Sequence, residues 1–282
     1  MIPSLRTQYN QKFSEATYNA FLDTITAANN HRPKFKIAET PVFIPDELKF
    51  HLTQACEEIS DVICQENFKD LTKGALLPEN LVPNETKHTA FLQMDFGICR
   101  DANGQLTPQL IEIQGFPTLY FYQDMKAQAY RKHFNIPDHM SHLLGGIDSA
   151  QYHEMLRNII VGSSQPENVV LLEVQPFEQT TLVDFLATRK AIGTPIKCVS
   201  ELKVEGRDVY YIDDNGRKVG VEKIYNRVIF DELIHKTDLP REFYFTKETN
   251  VRYVGHPHWF FRISKYTLPF LKSKYVPDTY FL

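Results

Sequence analysis

Along the first part of the chain, apolar residues recur at helical spacing. Tyr18, Phe21, Leu22 and Ile25 predict a helix over 14–29, with Ser14 able to cap it. Pro45-Asp46-Glu47 opens a second helix, whose stripe is Leu48, Leu52, Ala55, Ile59 and Val62. Between them, Pro33 to Pro45 reads as a connector carrying Val42-Phe43-Ile44, and Asn80 to Thr86 reads as a polar loop. From His88 the period drops to two. Ala90, Leu92, Met94, Phe96 and Ile98 take one face of a strand, and Phe91, Gln93, Asp95 and Gly97 the other. A turn signal, Asp101-Ala102-Asn103-Gly104, precedes a second apolar run, Leu110 to Gln114. Read as a two-residue type I′ turn, Asn103-Gly104 places Asp95 opposite Glu112, Gln93 opposite Gln114, and Pro108 opposite Cys99.

Gly115-Phe116-Pro117 breaks that strand, and the glycine either lets backbone approach a ligand or is a plain turn residue. Helices are expected over Leu119–Phe134 and Tyr152–Ile160. Gly162 to Pro166 is the best linker by composition. Beyond it the pattern is a buried strand (Val169–Val174), then a helix that Thr180 or Thr181 can cap and Gly193 ends. A strand follows at Ile196–Val199. Such a βαβ unit implies a right-handed parallel crossover. A hairpin is expected over Val209–Val219 across Asp214-Asn215-Gly216, then a strand over Val221–Tyr225. The fold class is therefore mixed α/β (α+β). The expected organisation is a helical and antiparallel-sheet region (1–161), an α/β domain (166–238) and a third region (239–282).

Composition narrows the function classes. Hydrophobic residues at 43% and charged residues at 23% are those of a globular chain. A net charge of −4 with pI about 6.2 offers no basic field for nucleic acid or an anionic membrane. No apolar run reaches the length of a transmembrane helix, and the N-terminus lacks a signal core. Cys56, Cys64, Cys99 and Cys198 show no CxxC spacing, so neither zinc nor a disulfide framework is indicated, and a cytoplasmic location fits. His139 and His142 lack a third ligand nearby, and His256 and His258 read as turn residues about Pro257.

The informative chemistry lies in the first hairpin. Two carboxylates directly opposed on paired strands repel unless something compensates. A hard divalent cation such as Mg²⁺ would do so; the alternative is a pair of solvated carboxylates on an exposed face.

The segment MDF…LIEIQGFPTLY (94–96 and 110–120) resembles the RxDF…LLExNADTPT segment of glutathionylspermidine synthases and related circularly permuted ATP-grasp ligases. The resemblance implies that Asp95, Glu112 and Gln114 hold Mg²⁺ on the phosphates of ATP. Gln93 stands where the family has an Arg, and Gln114 where it has an Asn. Residues 166–238 look like the family's Rossmann-like pre-ATP-grasp domain, ending in Lys223-Ile224-Tyr225-Asn226-Arg227 where the family reads xIYxR. Arg227 then faces substrate, as Gln93 would, unless it is a surface Arg at a strand end. The stretch VGHPHWFFRISKYTLPFL (254–271) resembles the helix entering the ATP-grasp fold, with Lys265 as the phosphate-binding Lys. Lys265 could equally sit on the polar face of an amphipathic helix. The family's second phosphate-binding Lys and its Gly-rich loop have no counterpart in these 282 residues, so an incomplete ATP-grasp unit is expected. Such a chain is either a fragment of a longer protein or one that lost the nucleotide-closing half. The implied activity is ATP- and Mg²⁺-dependent joining of a small-molecule or peptide carboxylate to an amine through an acyl phosphate. The alternative is a non-catalytic binding or scaffold protein on the same frame. No catalytic residue is assigned.

Overall fold

A computed structural model of the chain describes residues 2–281, with the side chains of Asp231 and Ile234 left aside. In chain order the helices are α1 (Pro3–Lys12), α2 (Glu15–Asn29), α3 (Asp46–Ile63) and α4 (Phe68–Leu71). Strands β1 (Gln93–Arg100) and β2 (Leu106–Gln114) precede α5 (Tyr120–His133) and α6 (Ser149–Ile160). Then come β3 (Val169–Glu173), α7 (Leu182–Ile192), β4 (Ile196–Cys198), β5 (Lys203–Glu205), β6 (Asp208–Ile212), β7 (Lys218–Gly220) and β8 (Lys223–Asn226). The last elements are α8 (Phe230–His235), β9 (Arg252–Val254) and α9 (His258–Arg262). The architecture is mixed α/β, with one parallel sheet ordered β4-β3-β8-β9 and two antiparallel sheets, β1-β2 and β5-β6-β7.

These elements form two compact units that interleave along the chain. The first is Met1–Phe43, Thr118–Tyr244 and Thr249–Val254; the second is Ile44–Pro117, Phe245–Glu248 and Gly255–Leu282. Each unit draws its strands and turns from non-consecutive stretches of the chain.

In the first unit β3 is buried at every position, as a central parallel strand must be. Gly193 closes α7 at φ +77, the left-handed conformation that a C-cap requires. Ser14 caps α2 by accepting the Thr17 N–H at 3.1 Å. An aromatic core of Tyr9, Phe21, Tyr122, Tyr130 and Phe134 joins α1, α2 and α5. In the second unit Ile59 and Ile63 of α3 pack with Leu110 and Ile113 of β2 and with Trp259 and Ile263.

The hairpin register departs from the sequence reading twice, and the departures cancel. The turn is a three-residue loop, because the Asp101 N–H donates to the Gln105 carbonyl at 2.9 Å. Asp101 Oδ1 accepts the N–H groups of Asn103 and Gln105 at 2.9 and 2.8 Å, and Gly104 sits at φ +78. Pro108 consequently pairs with Ile98, correcting the expected Cys99. A β-bulge then leaves Ile111 without a partner, and beyond it Asp95 meets Glu112 and Gln93 meets Gln114. The second Asn-Gly hairpin repeats the device: Asp213 Oδ1 accepts from Asn215 and Arg217 at 3.0 and 2.8 Å, with Gly216 at φ +78. In both, an Asp two residues before Asn-Gly satisfies backbone donors that a two-residue turn would leave to the strands.

Candidate functional site

The hairpin gathers four oxygen-bearing side chains as two directly paired positions, Gln93/Gln114 and Asp95/Glu112. All four are half-buried. Gln93 Nε2 donates to Asp95 Oδ1 at 3.3 Å, and Gln114 Nε2 donates to Glu112 Oε1 at 2.9 Å. Each carboxylate thus takes an amide from its own strand, two residues away, which relieves part of the cross-strand repulsion. Two carboxylates, joined by amide oxygens once the Gln side chains turned over, would make a hard, all-oxygen donor set of the kind Mg²⁺ takes when phosphate oxygens complete its shell. Among the described residues no group of three or more His, Cys, Asp or Glu is arranged to hold a metal, so a cation here would rest on this pair and on oxygens from outside.

Lys265 lies in the same unit, exposed, at the start of a 3₁₀ turn (Lys265–Phe270) that packs against β2. The expected entering helix is in fact the five-residue α9 followed by this turn, which holds Pro269. A proline inside an α-helix would lose a backbone bond and clash with the preceding turn, so the chain tightens into 3₁₀ geometry.

Gly115 answers the choice left open by its sequence. A Cβ there would meet the Trp259 carbonyl oxygen at 2.6 Å and Ile263 Cβ at 2.9 Å, while the Gly115 N–H donates to the Ile263 carbonyl at 3.1 Å. The close approach is to the protein's own 259–263 backbone.

Arg227 is neither at the surface nor open to solvent. It is 3% exposed, Nη1 lies 3.5 Å from Asp184 Oδ2, and the guanidinium stands over the Phe185 ring at 5.2 Å. Asp184 Oδ1 also accepts the Tyr122 N–H at the start of α5, at 3.0 Å. The Arg therefore anchors α7 to β8 in the core of the first unit.

Two clusters escaped the sequence reading. The first is Glu173 at the carboxyl end of β3, where the strand order turns from β4 to β8; open parallel sheets bind ligands at such points. It is 4% exposed, and burial raises its carboxyl to about 8, with the Val174 N–H at 2.7 Å and the Arg227 charge opposing. Glu173 is thus largely protonated at neutral pH. The only advance signal was a Glu inside the otherwise apolar run Val-Val-Leu-Leu-Glu-Val.

The second is a buried network in the second unit, and it corrects the reading of His256 and His258 as turn residues. Arg262 grips Glu85 with Nε at 2.7 Å from Oε1 and Nη2 at 3.3 Å from Oε2, and Lys69 Nζ is 3.7 Å from Oε2. His258 Nε2 accepts the Val82 N–H at 2.8 Å, so its ring proton resides on Nδ1, 3.3 Å from Glu85 Oε2. His256 Nδ1 accepts the His258 N–H at 3.2 Å, which leaves Nε2 to donate to the Pro83 carbonyl at 3.0 Å. Burial alone would raise the Glu85 carboxyl, but its bonds to His258 and Arg262 outweigh that and hold it at about 2. Burial pushes the His256 imidazole down to about 4, against the opposing pull of the Pro83 carbonyl.

A pH dependence follows. His256 binds its proton near 6.5 when unfolded and only near 4 when folded, so the stability it contributes is present above 6.5 and is lost as pH falls toward 4. The full linkage is about 3 kcal/mol by the conversion of pKa shift to free energy. Urea unfolding of the parent and His256→Asn at pH 7.5 and 4.5 is expected to show that loss as the difference between the two proteins, since the raised Glu173 carboxyl shifts both alike in the opposite direction over the same window. An equal loss in parent and variant would assign the effect elsewhere. Glu85 adds little over that window, since most of its own loss falls between 4.5 and 2.

No protein-family model matches the sequence, and no curated protein matches it. The fold is similar to that of a glutathione synthetase-like effector (GSS30) from Globodera pallida, solved in its apo form. The TM-score is 0.55 and the identity 11%, over 92% of this chain. The match spans 65% of that effector's chain. The likeness is one of fold. Among the described residues no helix is long and apolar enough to cross a membrane.

Proposed function

We propose that this protein is an ATP-dependent carboxylate–amine ligase-like protein of the ATP-grasp kind, with a small-molecule or peptide carboxylate and an amine as substrates. The observation that carries the reading is the pairing of Asp95 with Glu112 and of Gln93 with Gln114, preserved through a loop and a bulge that act in opposite directions. A fold like that of a glutathione synthetase-like effector supports it. Asp95 and Glu112 would hold Mg²⁺, and Gln114 would turn its amide oxygen from its present role toward the ion. Lys265 would supply a mobile charge for phosphate from the turn beside β2. The bound nucleotide and metal would bring phosphoryl transfer to the carboxylate, chemistry that rests mainly on positioning and charge neutralisation. Gln93, at the far pair of the same face, would contact substrate.

A non-catalytic binding role is the second reading. The burial of Arg227 against Asp184 favours it, since that Arg is then a core residue.

The test is thermal melting of the parent and of Glu112→Gln, with and without millimolar Mg²⁺ at fixed ionic strength, followed by calorimetric titration with Mg-ATP. The parent is expected to gain stability on adding Mg²⁺ or Mg-ATP, because a ligand of the folded state stabilises it, and the variant to lose most of that gain. Equal shifts in the two proteins would remove the site assignment. Absence of any nucleotide heat up to millimolar Mg-ATP would favour the binding role.

A further inference from the structure

The first unit contains a cavity of about 510 Å³ that the ligase reading does not use. It lies among α2, α5, α6 and α7, all within that unit. Helix interfaces normally close to crystal-like density, with few voids larger than a water. Here they do not, because the facing positions are small: Ala28 on α2, Ala129 on α5, and Ala187 and Ala191 on α7. Ile25, Phe121 and Met125 complete an apolar wall.

Polar groups interrupt that wall, and the charged ones are Asp124, Lys132 and Lys190. Asp124 is 3% exposed and lines the cavity from α5. Its Oδ1 accepts Ser149 Oγ–H at 2.6 Å and lies 2.8 Å from His142 Nε2; its Oδ2 lies 3.0 Å from His153 Nε2. Two carboxylate oxygens offer about four lone-pair directions, so one acceptor site remains beyond these three contacts. His153, which also lines the cavity, is fixed edge-on to Phe121, with ring centroids 5.3 Å apart. Two exposed lysines, Lys132 and Lys190, also line it. Lys190 Nζ donates one hydrogen bond, to the Ala28 carbonyl at 2.7 Å, and an ammonium has three to give. Lys132 follows Asp124 by eight residues on the same helix, about 12 Å at the rise of an α-helix.

We propose that this cavity binds a small carboxylic acid with an apolar, aromatic or aliphatic body and an N–H or O–H donor at the end remote from the carboxylate. The donor end reaches Asp124, the body lies along the alanines, and the carboxylate meets Lys132. Volume, an apolar lining and a few convergent polar groups are the marks of a small-molecule site. A buried acceptor and an exposed cation, Asp124 and Lys132, about 12 Å apart along α5, set the polarity of what enters.

Indole-3-butyrate is a suitable probe, since it carries an N–H, an apolar ring and a remote carboxylate. Calorimetric titration of the full chain is expected to show saturable one-site binding. N-methylation of the probe should weaken binding at least tenfold by removing the donor, and its methyl ester should weaken it severalfold by removing the anion. Ala28→Leu and Ala191→Leu, both at partly open positions, should each fill the cavity and weaken binding at least tenfold without lowering the melting temperature. Absence of saturable binding to the parent at millimolar probe would overturn the proposal. So would full affinity in both leucine variants, or equal affinity for the probe and its N-methyl form.

Discussion

Replacing Glu85 with alanine is expected to destabilise the protein by about 3–5 kcal/mol, the range for removing one partner of a buried ion pair. Arg262 is 6% exposed, and its other hydrogen bonds go to the Lys69 carbonyl and Thr72 Oγ1 at 2.8 and 3.2 Å. Neither acceptor carries a charge, so the guanidinium would stay buried without compensation. His258 would lose the carboxylate facing its Nδ1 as well. The loss lies in desolvation and not in contact area, and this can be separated by experiment. The double variant Glu85→Leu/Arg262→Met removes both charges and should recover much of the stability lost by the single one. Chemical denaturation of the three proteins at pH 7 measures the effect. A double variant no more stable than Glu85→Ala would show that packing around residues 82–85, and not charge balance, holds this region.

Asp184→Ala is expected to have an effect of the same size in the other unit, again about 3–5 kcal/mol. Asp184 is 1% exposed; besides its contact with Arg227 it accepts the Tyr122 N–H, one of the backbone donors at the start of α5. The substitution takes away both the carboxylate that balances a guanidinium 3% exposed and the acceptor of a buried donor. Burial raises the Asp184 carboxyl, against the Arg227 charge and the bonds from the α5 backbone. Asp184→Asn keeps the shape and the acceptor oxygen but removes the charge, so it should fall between parent and alanine variant. If Asn and Ala destabilised equally, the acceptor would contribute nothing and the charge everything. If Asn matched the parent, the ion pair would be idle and the prediction would fail.

The comparison of these clusters with the hairpin shows what kind of information a sequence carries. The periods of apolar residues determined α2, α3, β3 and α7, because burial of one face or of a whole strand needs only the local order of side chains. The capping residues Ser14 and Gly193 were legible for the same reason: each acts on backbone within one turn of itself. The opposition of Asp95 and Glu112 was also foreseen, although through an incorrect turn. The Asp before each Asn-Gly lengthens the loop by one residue, and the bulge at Ile111 returns the register. That bulge places Leu110 and Ile113 together in the core despite their spacing of three, and packing against α3 and Trp259 decides it.

What the sequence alone could not determine has partners far along the chain. β9 is three residues long and exists as a strand because β8 lies beside it. Arg227 reads as a residue at a strand end, and only the fold brings Asp184, 43 positions earlier, to its guanidinium. Glu85 and Arg262 are 177 residues apart, and neither carries a local signal of the other. Hydrophobic period and capping are properties of neighbours in sequence, which the chain states directly. Charge pairing in a buried core is a property of neighbours in space, and only the tertiary structure supplies those.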